Sequence, residues 1–369
     1  MKRLVLVFTI LSSLLLTGCF SYRDINKVIF VTAVIVDINE DDEYVLTVEG
    51  FHSYRSNQTN AEQGEKIFLQ SKSKSVYEAA RQFNHKASYK VDYTQNKAFI
   101  VTERVARRGI KPIMDILERN QELILRSYTL VTTESPQDIV DYEIKQNEYI
   151  GLYLDELMEN PFLVKQHRLD RVNQYLNYRI MEDRTHILSI LQLEKNPVST
   201  NLMAEEGAIM QDDVMVGRLS QSEMKFYRYL QNRIDRALIS IPHIEDKEKL
   251  ISVDTIKNKT KTEIEYDGEK ILLKKKIYIR TIFGETQSPL IFTKENIEKV
   301  EESVERTIKD NCMALFAKMK EEGFDIFQIT ELMERKYPNL DLEDPLSITQ
   351  LQLEVEHQLE GSTNITSFR

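Results

Sequence analysis

Val28 to Val36 is a continuous apolar run broken only by Thr32, which predicts a buried strand. Asn39 to Glu43 is a polar turn, and Tyr44 to Phe51 alternates as a second strand. Residues 52–66 are polar and predict a loop. Ser75 is placed to cap a helix carrying Val76, Ala79, Ala80 and Phe83. Lys97 to Thr102 reads as a strand. Val105 to Arg119 reads as one helix with Ile110, Ile113, Met114 and Leu117 inward. Tyr128 to Thr133 is a further strand, and Ser135-Pro136 opens another helix.

Further on, Ile150 to Glu159 and Leu169 to Met181 have helical periodicity on either side of Pro161. Thr185 to Leu193 predicts a strand. Ala208 to Met210 and Val214 to Val216 flank Gln211-Asp212-Asp213 as a hairpin, and Ser220 caps a helix reaching about Leu230. Ile251 to Tyr266 and Lys270 to Phe283 pair across Asp267-Gly268, the strongest hairpin signal in the chain. Thr293 opens a long helix ending near Gly323. A shorter helix follows from Ile326 to Arg335, then a strand from Leu351 to His357, with residues 360–369 expected to fray. The fold class is α+β: three unlike mixed blocks with mainly antiparallel sheets, at 19–145, 146–233 and 234–369.

The segment before these blocks sets the compartment. Lys2 and Arg3 precede Leu4 to Leu16, an uncharged run too short for a bilayer core of about 20 residues. Leu16-Thr17-Gly18-Cys19 follows at once. A basic start, an apolar run and small residues before a cysteine form a lipoprotein signal peptide, 1–18, leaving Cys19 as the lipidated N-terminus. Several acyl chains on one residue suffice for stable anchoring. Removing residues 1–18 takes two positive charges with it, so a net charge of −10 becomes −12. An acidic chain is poorly suited to nucleic acid, which demands a basic surface. It also lacks a second, electrostatic hold on anionic lipid.

The sequence offers little catalytic chemistry. Glycine, at 11 of 369 residues, stands singly, and neither G-x-G-x-x-G nor a P-loop occurs. H-E-x-x-H, C-x-x-C and G-x-S-x-G are absent, and the six histidines at 52, 85, 167, 186, 243 and 357 are scattered. Asp37-x-Asn39-x-Asp41 starts like a calcium loop, but Asp42 and Val48 stand where glycine and glutamate are needed. Cys312 lies on the apolar stripe of the long helix and reads as a small buried hydrophobe. With Cys19 lipidated, it has no intrachain partner. No catalytic, cofactor or metal site is expected.

Four patches then resemble a known family. Gly18-Cys19-Phe20 leads into Arg23-Asp24-Ile25-Asn26 and a strand closing on Asp37. Ala98 to Glu103 continues through Ala106, Gly109-Ile110, Ile116-Leu117-Glu118-Arg119 and Arg126. Gly207 to Gly217 is followed by Leu219 and Glu223, and Gly323-Phe324-Asp325-Ile326-Phe327 follows the long helix. In this order the patches resemble the Ger(x)C (GerAC-like) spore germination lipoproteins, the C subunits of nutrient germinant receptors. Phe20 stands where that family usually has tryptophan, and Gln328-Ile329 where it has a glycine-bearing turn. Gly207 and Gly217 read most simply as backbone requirements of a hairpin. Glu103 and Arg119 are candidates for a buried or half-buried pair.

The resemblance implies a non-enzymatic subunit held by Cys19 on the outer face of the spore inner membrane. It implies two integral-membrane partner subunits, A- and B-type, in a complex that senses small nutrients and triggers germination. The alternative from the sequence is a solute-binding lipoprotein of an uptake transporter, which should show two similar α/β lobes and a hinge.

Overall fold

The computed structural model describes residues 27–55, 62–119, 125–142, 149–159, 169–181, 185–234, 236–360 and 367–368. Cys19 and the rest of the first sequence patch up to Asn26 lie outside the described residues.

A nine-stranded sheet forms the first half. It comprises β1 (Val28–Ile38), β2 (Tyr44–Arg55), β3 (Glu62–Ser73), β4 (Lys90–Asp92), β5 (Ala98–Thr102), β6 (Tyr128–Thr132), β7 (Thr185–Lys195), β8 (Thr200–Gln211) and β9 (Val214–Leu219). The order is β3-β2-β1-β5-β6-β7-β8-β9, with β4 also beside β1. The centre β1-β5-β6-β7 is parallel, while the hairpins β1-β2-β3 and β7-β8-β9 form antiparallel wings. Parallel strands are buried on both faces, which explains the unbroken apolar runs of β1, β5 and β6. The boundary expected at 145/146 falls inside this sheet, because β6 pairs with β7 across it.

Alternate residues of β1 feed two cores. Val34 and Val36 face α1 (Val76–Lys86), α2 (Glu103–Arg108), α3 (Lys111–Arg119) and α6 (Val172–Tyr178). Ala33 and Ile35 face α4 (Pro136–Asp141) and α5 (Ile150–Glu159). Glu49 of β2 anchors α5. Its buried carboxylate accepts from the amides of Ile150 (3.1 Å) and Gly151 (3.4 Å), from Thr32 Oγ1 (2.9 Å), and pairs with Lys66 (3.2 Å). Backbone amides at a helix start favour an anion.

The second half holds α7 (Gln221–Leu230) and a four-stranded sheet of β10 (Ala237–Pro242), β11 (Leu250–Tyr266), β12 (Ile271–Thr286) and β14 (Thr349–Glu360). β13 (Leu290–Ile291) precedes α8 (Lys294–Glu322) and α9 (Ile329–Lys336). The apolar stripe of α8, from Val300 through Cys312 to Met319, packs into this core together with α7. That core also takes Ile187, Ile209 and Leu219 from β7, β8 and β9, so it is continuous across the two halves.

The class is α+β, as expected, and the hairpin at Asp267-Gly268 and the long helix form as read. Three details differ. The loop expected at 52–66 is largely strand: β2 runs to Arg55 and β3 starts at Glu62. β3 is polar because it is an edge strand, which needs no apolar alternation. The helix expected at 105–119 is two helices, because Gly109 sits at φ +119°, a backbone setting that side chains rarely adopt. The apolar period survives the corner because both helices pack on the same core. Within 360–369, Ser367–Phe368 forms β15 and pairs with β13 instead of fraying.

Candidate functional site

The sequence-flagged residues gather at two places and leave two members outside. The first place is the corner between α2 and α3. Gly109 turns the chain so that the Ile110 amide donates to Asp213 O at 2.8 Å. Asp213 belongs to the β8–β9 turn, where both Asp212 and Asp213 have positive φ, the requirement of a two-residue type I′ hairpin. Its buried carboxylate accepts from Tyr175 Oη (3.0 Å) and Arg179 Nε (2.9 Å). Arg179 also reaches Asp115 of α3 at 2.7 Å. Burial, then the Asp213 carboxylate, push the Tyr175 phenol far above its ordinary range. Lys111 and Arg179 hold the Asp115 carboxyl below its ordinary value. Arg179 carried no sequence signal, since it lies after a helix with no motif around it. At the opposite corner of α2, Asp37 accepts from Thr102 Oγ1 and Arg104 Nη2, both at 2.6 Å. The strand that closes on Asp37 thus ends in a clamp on the start of α2, and Ala106 is fully buried beneath it.

The second place is the junction of the two halves. α7 lies so close on β8 that a Cβ at Gly207 would meet Met224 Sδ at 2.4 Å and Ile187 Cγ2 at 2.7 Å. Gly217 faces Phe324, which follows α8. Glu223 closes a capping box with Ser220 and reaches Lys318 Nζ of α8 at 2.7 Å. Asp325 is buried and accepts from the amides of Ile329 (3.0 Å) and Thr330 (2.9 Å), capping α9. Deeper in the junction, His186 lies 3.2 Å from Asp170 and stacks on Tyr178 at 3.7 Å between centroids. Arg233 binds Tyr178 Oη at 2.8 Å and lies 3.4 Å from Asp170. This polar clasp spans both halves, and nothing in the spacing of its residues marked it.

Glu103 pairs with Arg107 within α2, not with Arg119. Arg119 is exposed at the end of α3. Arg126 is exposed as well, and its carbonyl accepts from Arg171 at 2.7 Å. The contacts at the first place fix the α2–α3 corner, and those at the second join the two halves. Among the described residues no group of three or more His, Cys, Asp or Glu side chains is arranged to hold a metal ion. Burial pushes the Cys312 thiol up to about 12, which makes it inert as a nucleophile near neutrality.

A family model described as the spore germination protein N-terminal domain matches residues 21–192. A second, described as spore germination B3/GerAC-like, C-terminal, matches residues 205–358. The chain belongs to the GerAC-like spore germination family. Over 156 residues it is 26% identical to the "Putative spore germination protein YfkR" of Bacillus subtilis (strain 168), a match spanning 41% of each chain. The fold resembles the crystal structure of the GerBC protein, with a TM-score of 0.57 at 15% identity, covering 88% of this chain and 96% of that one. The two family segments meet at the β7–β8 hairpin, so the pairing of β7 with β8 joins them within one sheet.

Proposed function

We propose that this GerAC-like chain is a non-catalytic lipoprotein subunit of a spore nutrient germinant receptor. It is held by Cys19 at the outer face of the spore inner membrane and acts beside two integral-membrane subunits. The observation that carries this reading is the pair of family matches over 21–192 and 205–358, behind a lipoprotein signal at 1–18. Among the described residues no helix is long and apolar enough to cross a membrane, so in this reading Cys19 provides the membrane hold. The tether confines the body to a surface, which raises its effective concentration toward membrane partners. The two halves have unlike sheets of nine and four strands, whereas a solute-binding lipoprotein needs two similar lobes.

The test is affinity purification of the tagged protein from detergent-solubilised spore membranes, followed by mass spectrometry. Two membrane germination subunits are expected to follow it. A permease with an ATPase would instead assign it to solute uptake. Cys19→Ala should release the body from the membrane and abolish the nutrient response; a soluble variant with normal germination would overturn the anchoring role.

A further inference from the structure

A cleft of about 850 Å³ opens between α1 and α3, on one face of the large sheet. That size lies within the range of small-molecule sites, about 300–1,000 Å³. Its floor is apolar and comes from three different strands, through Val34, Leu46 and Phe99. Its rim is cationic: Arg81 projects from α1, Lys90 from β4 and Arg119 from α3. This is a local reversal of sign in a chain of net charge −10.

The partners of the rim residues separate them. Lys90 already has Asp92 at 3.7 Å. Among the described residues neither Arg81 nor Arg119 is paired with a carboxylate, and Arg81 lies over the Tyr77 ring at 5.8 Å. Among the described residues Asp115 is the one carboxylate lining the cleft, and it is committed to Lys111 at 2.8 Å and Arg179 at 2.7 Å. Two uncommitted guanidinium groups therefore stand over an apolar floor. A neutral apolar molecule would fill the floor but gain nothing from the rim. A bare inorganic anion would gain from the rim and leave the floor wet. Only a molecule with both parts uses both.

We propose that the α1–α3 cleft binds a small organic carboxylate with an apolar body, its carboxylate held by Arg81 and Arg119. Arginine suits this because its planar fork matches a carboxylate in two parallel hydrogen bonds. The position gives Arg119, which the structure leaves out of the motif's packing role, a function at the mouth of a site. The inference goes beyond the subunit reading and stands apart from the anchor and the membrane partners.

The test uses the full chain in phosphatidylcholine nanodiscs, with 3-phenylpropionate as the probe and 3-phenylpropionamide as its uncharged counterpart, read by calorimetry. The acid should bind saturably, and the amide about tenfold more weakly or worse. Arg119→Gln and Arg81→Gln should each weaken the acid by a similar factor with an unchanged melting temperature. Ala80→Trp, placed on α1 inside the cleft, should abolish binding of both. Absence of saturable binding by the acid overturns the proposal. So does equal binding of acid and amide, or binding that survives Ala80→Trp. A concentration-dependent dimer that Ala80→Trp dissolves also overturns it and assigns the cleft to a second copy. None of these outcomes depends on which proteins co-purify, so the cleft and the subunit reading fail separately.

Discussion

Gln328 opens α9 from the left-handed region, at φ +61°. A non-glycine residue there costs about 1–2 kcal/mol in steric terms, partly offset because glycine has more backbone freedom to lose on folding. Gln328→Gly is therefore expected to stabilise the chain by about 0.5–1 kcal/mol, read as a higher denaturant midpoint. The resemblance had placed a glycine-bearing turn at this point, and the backbone shows the physical reason for one. His357 shows a different residue-level effect. Burial lowers its pKa to about 4, and Thr281 lies 2.7 Å from its Nε2. The unfolded imidazole titrates near 6.5, so between pH 6.5 and 4 the unfolded chain binds more protons than the folded one. Stability is fully present above about 6.5 and is lost as pH falls toward 4. His357→Gln should flatten that loss in urea titrations run from pH 7 to pH 4; an unchanged slope would contradict the assignment.

Sequence patterns identified elements where one side of the chain meets a core, and missed them elsewhere. β1, the Asp267-Gly268 hairpin and α8 were legible because their apolar period or turn residues are strong. β3 was not, because an edge strand carries few obligatory apolar positions; Ile67, Phe68 and Leu69 are its main apolar run. The parallel order β1-β5-β6-β7 was hidden, since local pattern says nothing of which strands pair across helices. The cleft was invisible for the same reason: its floor residues read as ordinary core, and only folding places α1 opposite α3. β14 supplies an element-scale prediction. It is the outer strand of its sheet, and α8 covers its open amides: Glu305 accepts from His357 N (2.9 Å) and Glu301 from Leu359 N (2.7 Å). Unpaired edge amides invite another strand. The double variant Glu301→Ala, Glu305→Ala should lose about 1–3 kcal/mol and self-associate in sedimentation experiments.

The whole molecule is held together where α7 rests on β8, and Gly207 sets that distance. Gly207→Ala forces Met224 and Ile187 to give way, with an expected loss of about 1–3 kcal/mol. Because one core spans β7–β9, α7 and the second sheet, the loss should lower the cooperativity of unfolding for the entire chain. Met224→Ala in the same chain should restore part of it. A variant as stable as the parent in guanidinium titrations would show that the helix can lift away freely.

The position of β1 has a consequence for reach. Nine Cα-to-Cα steps lead from Cys19 to Val28, the first residue of a strand in the interior of the large sheet. Fully extended, nine steps span about 30 Å at most. If Cys19 is the lipid anchor, the leash is shorter than a typical domain is wide. The sheet must then hover with one end toward the bilayer, the end where β1 and β4 begin side by side. On that condition the opposite end, with Asp37 clamped to the start of α2, would face away from the bilayer.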